Sequence, residues 1–377
     1  MKKVFFKSSF ILFLVLSIST TSQAQKPVNE TMVKLAAEIQ GLFPYMFQPE
    51  LLKETKNKKL VEEKIALLNG LFKSAAPHFK KNSPISQVSL NIMLGHLEDT
   101  HKIFSRNDNE FASKALKAIP AICASCHTQD HKVAKVLYSD IEKDLFKNDY
   151  EYAEFSFITH NYFKALEHYN LFLKNSDSST NKFAIANALE KKLIIGIIYT
   201  KDNKASIESF KNDLINNNIP SSLKNNINEW IVALNKDHAN SELNRTSYTF
   251  KEIEKLILKY LISSNVEENR VNIIKVNDIL KQFSNNNKDP KLEPAVLYYL
   301  AIADRLLSNN FFFSSADLFL KACILGYSNT PYAKKCFKEY KDNLILSYTG
   351  SSGENLPSEV ENELKELEAK VYPKKKK

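Results

Sequence analysis

The sequence predicts an all-α protein: a four-helix bundle followed by an α-solenoid of helix pairs. Three observations lead there. Glycine is scarce, 7 residues in 377, which removes the turn residue that β-rich architectures depend on. Over the first third of the chain, apolar residues recur at intervals of three and four, the period of one helix face. Beyond about residue 133, helical patterns come in pairs divided by short polar breaks, as in helical repeats. Hydrophobic residues at 44% and charged residues at 25% leave enough apolar side chain for real cores.

Residues 1–24 read as a secretory signal peptide. Lys2, Lys3 and Lys7 form a basic start, Phe10 to Leu16 is an apolar run, and Ser22-Gln23-Ala24 offers a cleavage point after Ala24. The alternative is an N-terminal membrane anchor, for which the run is short of the roughly 18–20 residues that a spanning helix needs. No later run reaches that length, so no transmembrane helix is expected after cleavage. No Cys stands near Ala24 to take a lipid.

Four amphipathic patterns fill residues 25–132. Met32, Leu35, Ala36, Ile39, Leu42 and Met46 lie on one face of the first helix, which Pro44 should end or kink near Phe43. Val61, Ile65, Leu68, Phe72 and Ala75 mark the second, closed by Pro77. Leu90, Leu94, Leu97, His101 and Phe104 mark the third, starting after Ser83-Pro84. Ala112, Ala115, Leu116, Ile119 and Cys123 mark the fourth, with Asn107-Asp108-Asn109 as cap candidates and Pro120 as a break. Short connections between four such helices suggest an up-down-up-down bundle.

Residues 133–350 show the paired pattern. Asn161 to Tyr169, Ala186 to Tyr199 and Lys204 to Leu214 are followed by Ala295 to Leu307, Ser314 to Leu325 and Tyr332 to Leu344. Polar breaks fall at Ser176 to Asn181, Asp237 to Ser247 and Ser284 to Pro290. Residues 351–377 hold one charged helix, Ser358 to Val371, and a Lys-rich end. The paired segments resemble tetratricopeptide repeats in size and in a few small or aromatic positions; a generic irregular solenoid fits the same pattern. Phe311-Phe312-Phe313 reads as repeat core.

The net charge of +9 comes mostly from the ends: without the three lysines of the signal and the four of the tail, about +2 remains. A nucleic-acid partner is therefore not expected. Of four cysteines, Cys323 and Cys336 stand apart in the C-terminal half. Export makes a disulfide between them chemically feasible; two buried thiols are the other reading.

Cys123-Ala124-Ser125-Cys126-His127 is a C-x-x-C-H sequence, the attachment signature of a c-type haem. The spacing follows from the chemistry. Two thiols each add to a haem vinyl group, two intervening residues on a helical turn bring both sulfurs to one ring edge, and the adjacent imidazole reaches the iron. A thioredoxin-like redox pair would sit near a βαβ pattern, which is lacking. A structural zinc site would want a second pair of ligands, and no second C-x-x-C exists.

On this motif and its place on the fourth helix, residues 25–132 resemble the class II c-type cytochromes, the cytochrome c′ family. The resemblance implies a four-helix bundle with one covalently bound haem c on Cys123 and Cys126, and His127 as proximal iron ligand. In low-spin members a Met on the first helix binds the distal side, and Met32 stands there. Val28 stands where members often carry a basic residue, and Asp130 and His131 stand where a Tyr and a basic residue often follow the haem His. Met46 shares the stripe but lies roughly four turns from Met32. His101 on the core face, then His78, His96 and His131, are weaker distal candidates, and an open distal side that binds gas is a further alternative.

Three functions follow as expectations: electron transfer, with the repeats docking redox partners or holding an envelope complex in the periplasm; binding or sensing of NO or CO; or an interaction protein in which haem is secondary. No acid–base group supports catalysis.

Overall fold

A computed structural model describes residues 26–79, 84–105, 109, 112–113, 115–120, 143–159, 161–237, 242–262, 269–287, 289–307, 315–350, 353–354 and 356–373. The signal region 1–24, the motif Cys123 to His127 with Asp130 and His131, Phe311 to Phe313 and Lys374 to Lys377 lie outside these residues. The side chains of Val28 and His78 do so too.

The described residues are all-α, apart from a two-residue antiparallel pair, Thr349–Gly350 with Gly353–Glu354. Gly353, at φ +94°, opens the second strand in a conformation that suits glycine.

Helix α1 (Lys26–Gln40) is followed after a turn by short α2 (Phe43–Phe47), with Pro44 in the first turn of α2. The expected break near Phe43 is there, and its cause is the one anticipated: proline suits a helix start, where its missing N–H costs nothing. Helix α3 (Thr55–Phe79) runs two residues past Pro77 instead of stopping at it. The distortion that a proline imposes falls on the preceding turn, so a helix can run on for a few residues after it.

Helix α4 (Pro84–Ser105) follows, and residues 115–120 are again helical. Helix α1 packs on α3, and α3 on α4. Their shared core holds Leu35, Ile39, Leu42, Met46, Val61, Ile65, Leu68, Leu97, Leu116 and Ile119, all buried. It continues into Phe146, Tyr152 and Phe155, which come from the next part of the chain. Phe146 lies 5.1 Å from the Phe47 ring and Phe155 4.4 Å from Phe43, both edge to face.

The remaining helices are α5 (Asp149–Ile158), α6 (Tyr162–Lys174), α7 (Lys182–Ile194), α8 (Asn203–Leu214), α9 (Ser221–Asp237), α10 (Phe250–Ile257), α11 (Arg270–Asn286), α12 (Glu293–Leu307), α13 (Ser315–Gly326), α14 (Pro331–Ser347) and α15 (Ser358–Val371). Helix α5 packs on α6, α11 on α12, α12 on α13, and α13 on α14. Ala165 and Tyr169, the repeat-like positions of α6, are both fully buried. Three further cores succeed the first: α5 to α9 with Val271 and Ile274; α10 to α12; and α12 to α15. Helix α13 also lies against α4, so part of the C-terminal half packs on the last of the first three long helices.

Helix α7 continues as a π-helical stretch, Ile195–Thr200, and α10 does so over Leu258–Ile262. At the first, Gly196 meets α8 so closely that a Cβ would stand 2.3 Å from Ser206 Oγ. A larger residue there would have to displace the Ser206 hydroxyl from its bond to the Asp202 carbonyl.

Candidate haem site

The site begins with the segment that leads into the motif. Residues 115–120 end three positions before Cys123, and Ala115, Leu116, Ala118 and Ile119 are buried. Their apolar face therefore fixes the rotation of this helical segment in the first core. Two polar contacts add to that. Ser113 Oγ donates to the Met46 carbonyl at 2.7 Å. His96 Nε2 lies 2.8 Å from the Ala115 carbonyl, which can only accept, so Nε2 carries the proton. Burial, first of all, holds the His96 pKa below the ordinary 6.5, against opposing contributions from the Ala115 carbonyl and Asp99. Thr100, also buried, donates from Oγ1 to the His96 carbonyl at 2.7 Å.

The distal candidates separate clearly. Met32 is partly buried and packs against the same core that holds Leu116 and Ile119. Met46 is sealed at 0% exposure, and so is Met93 at 2%. The sequence reading did not single out Met93, although it stands three residues after Leu90 and four before Leu97, on the same stripe. His96 has its Nε2 committed to Ala115.

His101, expected on the core face of the third helix, is exposed instead. The buried side of α4 runs through Leu90, Met93, Leu97, Thr100 and Phe104. A stripe that steps by three or four can take either Thr100 or His101 after Leu97, and these two positions lie about 100° apart on the helix. The buried hydroxyl is small and bonds its own helix backbone, whereas an imidazole would need a partner there.

The donor set fits a covalently held haem: two thiols at the spacing of the vinyl groups and an imidazole next to them. The surroundings fit as well. Among the described residues the buried Thr100 and Ser113 of the first core are both hydrogen-bonded, and on α3 the buried Asn69 Oδ1 has no hydrogen-bond partner. An apolar macrocycle would meet no buried ionised group in that core.

In the C-terminal half, Cys323 on α13 and Cys336 on α14 form a disulfide with Cα atoms 6.3 Å apart, inside the range that a bridge requires. Of the two readings left open for these cysteines, the structure takes the bridge. No helix among the described residues is long and apolar enough to cross a membrane. Comparison with protein-family models, with curated proteins and with solved structures finds no match to the chain.

Proposed function

We propose that the chain is an exported monohaem c-type cytochrome that transfers electrons, with one haem c held by thioethers to Cys123 and Cys126 and by His127 on the iron. The observation that carries this reading is the motif Cys123-Ala124-Ser125-Cys126-His127. The bound group supplies a one-electron iron couple. The chain's own part is to anchor and shield it: Leu116 and Ile119 fix the helix that enters the motif, and the first core provides a dry wall. Residues 25–132 act as a four-helix-bundle haem unit, and residues 133–350 as an α-solenoid of tetratricopeptide-like pairs that docks redox partners or an envelope complex. The disulfide between Cys323 and Cys336 supports a periplasmic or otherwise exported location, where such bridges persist.

Met32 is taken as the distal ligand, since its side chain packs against the core that holds Leu116 and Ile119, which precede the motif in sequence. The absorption spectrum of the reduced protein, made in a host that matures c-type cytochromes, tests this. Wild type should be low-spin, and Met32→Ala should turn high-spin and bind CO at once. A low-spin spectrum unchanged in the variant removes Met32 from the iron. Met32 lies at the margin of its core, and this favours a second reading in which the distal side stays open to NO or CO. Rapid CO uptake by wild type, with no ligand displaced, selects that reading.

A further inference from the structure

Helices α12 and α14 bring three tyrosines together at a half-buried spot. The ring centroids of Tyr298, Tyr299 and Tyr332 form a triangle with sides of 5.2, 5.9 and 5.9 Å. The rings are tilted by 52–68° to one another, so faces and edges both line the spot. The hydroxyls of Tyr299 and Tyr332 lie 3.5 Å apart. Burial raises the pKa of Tyr299, as do the neighbouring Tyr332 hydroxyl and the charge of Glu254, so its ring stays a neutral phenol.

A cation already sits there. The Lys335 ammonium lies 4.8 Å from the Tyr332 centroid and 5.7 Å from that of Tyr298. Lys335 is itself exposed, and its contacts are to these two rings, with no carboxylate in ion-pair reach among the described residues. The electron-rich faces of the rings attract it without a counter-ion. The nearby Glu339 is engaged by Arg305 at 2.6 Å, and the charges of Glu339 and Glu254 act on Tyr298 and Tyr299 respectively.

We propose that the triangle of Tyr298, Tyr299 and Tyr332 is a binding seat for organic ammonium ions, capped in the free chain by the side chain of Lys335. The flexible exposed stem of Lys335 can swing out and yield the seat to an incoming ammonium. The platform takes the cation through ring faces, so primary and quaternary ammonium groups both qualify, while neutral groups of the same shape do not.

The test uses the full chain with carbon-13-labelled tyrosine rings, titrated with butylammonium as the lysine-like probe and with tetramethylammonium as the quaternary one. Neutral 3,3-dimethylbutanol serves as the uncharged control. Lys335→Ala should open the seat, so that either ammonium shifts the Tyr298, Tyr299 and Tyr332 signals saturably, about tenfold more tightly than in wild type. Tyr332→Phe in the Lys335→Ala background should keep that binding, because the ring face is kept, and Tyr332→Leu should lose it. Butylammonium alone binding would narrow the class to lysine-like amines; tetramethylammonium alone would narrow it to quaternary groups. The proposal is overturned if neither ammonium produces saturable shifts in Lys335→Ala, or if the neutral alcohol binds as well as the cations. Should Tyr332→Leu fail to fold, the Lys335→Ala titrations decide alone.

Discussion

The first core and the one formed by α5 to α9 are built on different principles. In the first core, burial is mainly apolar: methionines, leucines and phenylalanines, with the buried Thr100 and Ser113 both hydrogen-bonded. Between α5 and α12 the interior holds charges. Lys192 Nζ meets Asp213 at 2.5 Å with both side chains nearly sealed. Arg270 pairs with Glu190 and also donates to the Leu306 carbonyl at 2.8 Å, which ties α11 to α7 and α12. The Glu154 carboxylate accepts from Tyr169 at 2.6 Å, Asn187 at 3.0 Å and Lys191 at 2.6 Å, which joins α5, α6 and α7.

The contrast has a physical sense. Stacked helix pairs offer many near-equivalent apolar registers, and a buried charge pair singles out one of them, because each wrong register strands an ion. An apolar wall has no such demand, and it suits a flat, hydrophobic group.

The largest effect should come from breaking a charge clamp. Arg270→Met removes the ion pair to Glu190 and the bond to the Leu306 carbonyl and should cost about 4 kcal/mol, read as a fall in the urea midpoint. Adding Glu190→Leu should restore most of it. If the single variant costs no more than an exposed ion pair would, the clamp does not set register.

Next in size is the disulfide, which closes a short loop between α13 and α14, with a sequence separation of 13. Replacing both Cys323 and Cys336 by alanine should cost about 3 kcal/mol. A thermal melt with and without reductant checks it; wild type should move under reductant and the variant should not.

The smallest effect sharpens the comparison from the apolar side. His96 has a pKa depressed by burial, so its native form favours the neutral ring. A depressed base contributes stability that is present above its unfolded pKa and lost as pH falls through its folded one. Stability should therefore decline below about pH 6.5, and His96→Leu should flatten that decline at the cost of its hydrogen bond. Urea melts at pH 7 and pH 5 give the answer, and equal slopes in the two proteins would remove His96 as the cause.

Much of the helical pattern was legible. The stripes Leu35-Ile39-Leu42-Met46, Val61-Ile65-Leu68-Phe72 and Ala112-Ala115-Leu116-Ile119 are all buried. The final helix has the bounds that its charge pattern implied, Ser358–Val371. Period alone located these because each is a local regularity. It failed at His101, where a step of four competes with a step of three, and at Met93 for the same reason.

Phe146 and Phe155 could not be read as part of the first core, because a local period does not say which distant helix a face will meet. Arg270 and Glu190 are 80 residues apart, and nothing in either neighbourhood announces the other. Of the candidate site, C-x-x-C-H is carried by the sequence alone, because covalent attachment would fix its spacing, and its residues lie outside the described ones. The tyrosine triangle was not legible in the sequence, since it needs the packing of α12 on α14.

The most direct measurement asks whether pigment is bonded to the chain. Protein matured in a c-type-competent host is denatured, extracted with acidic acetone and stained for haem on a gel, beside Cys123→Ala/Cys126→Ala. The account predicts that colour stays with the wild-type band and is lost from the double variant. Colour that washes away from wild type, or that the double variant retains, contradicts it.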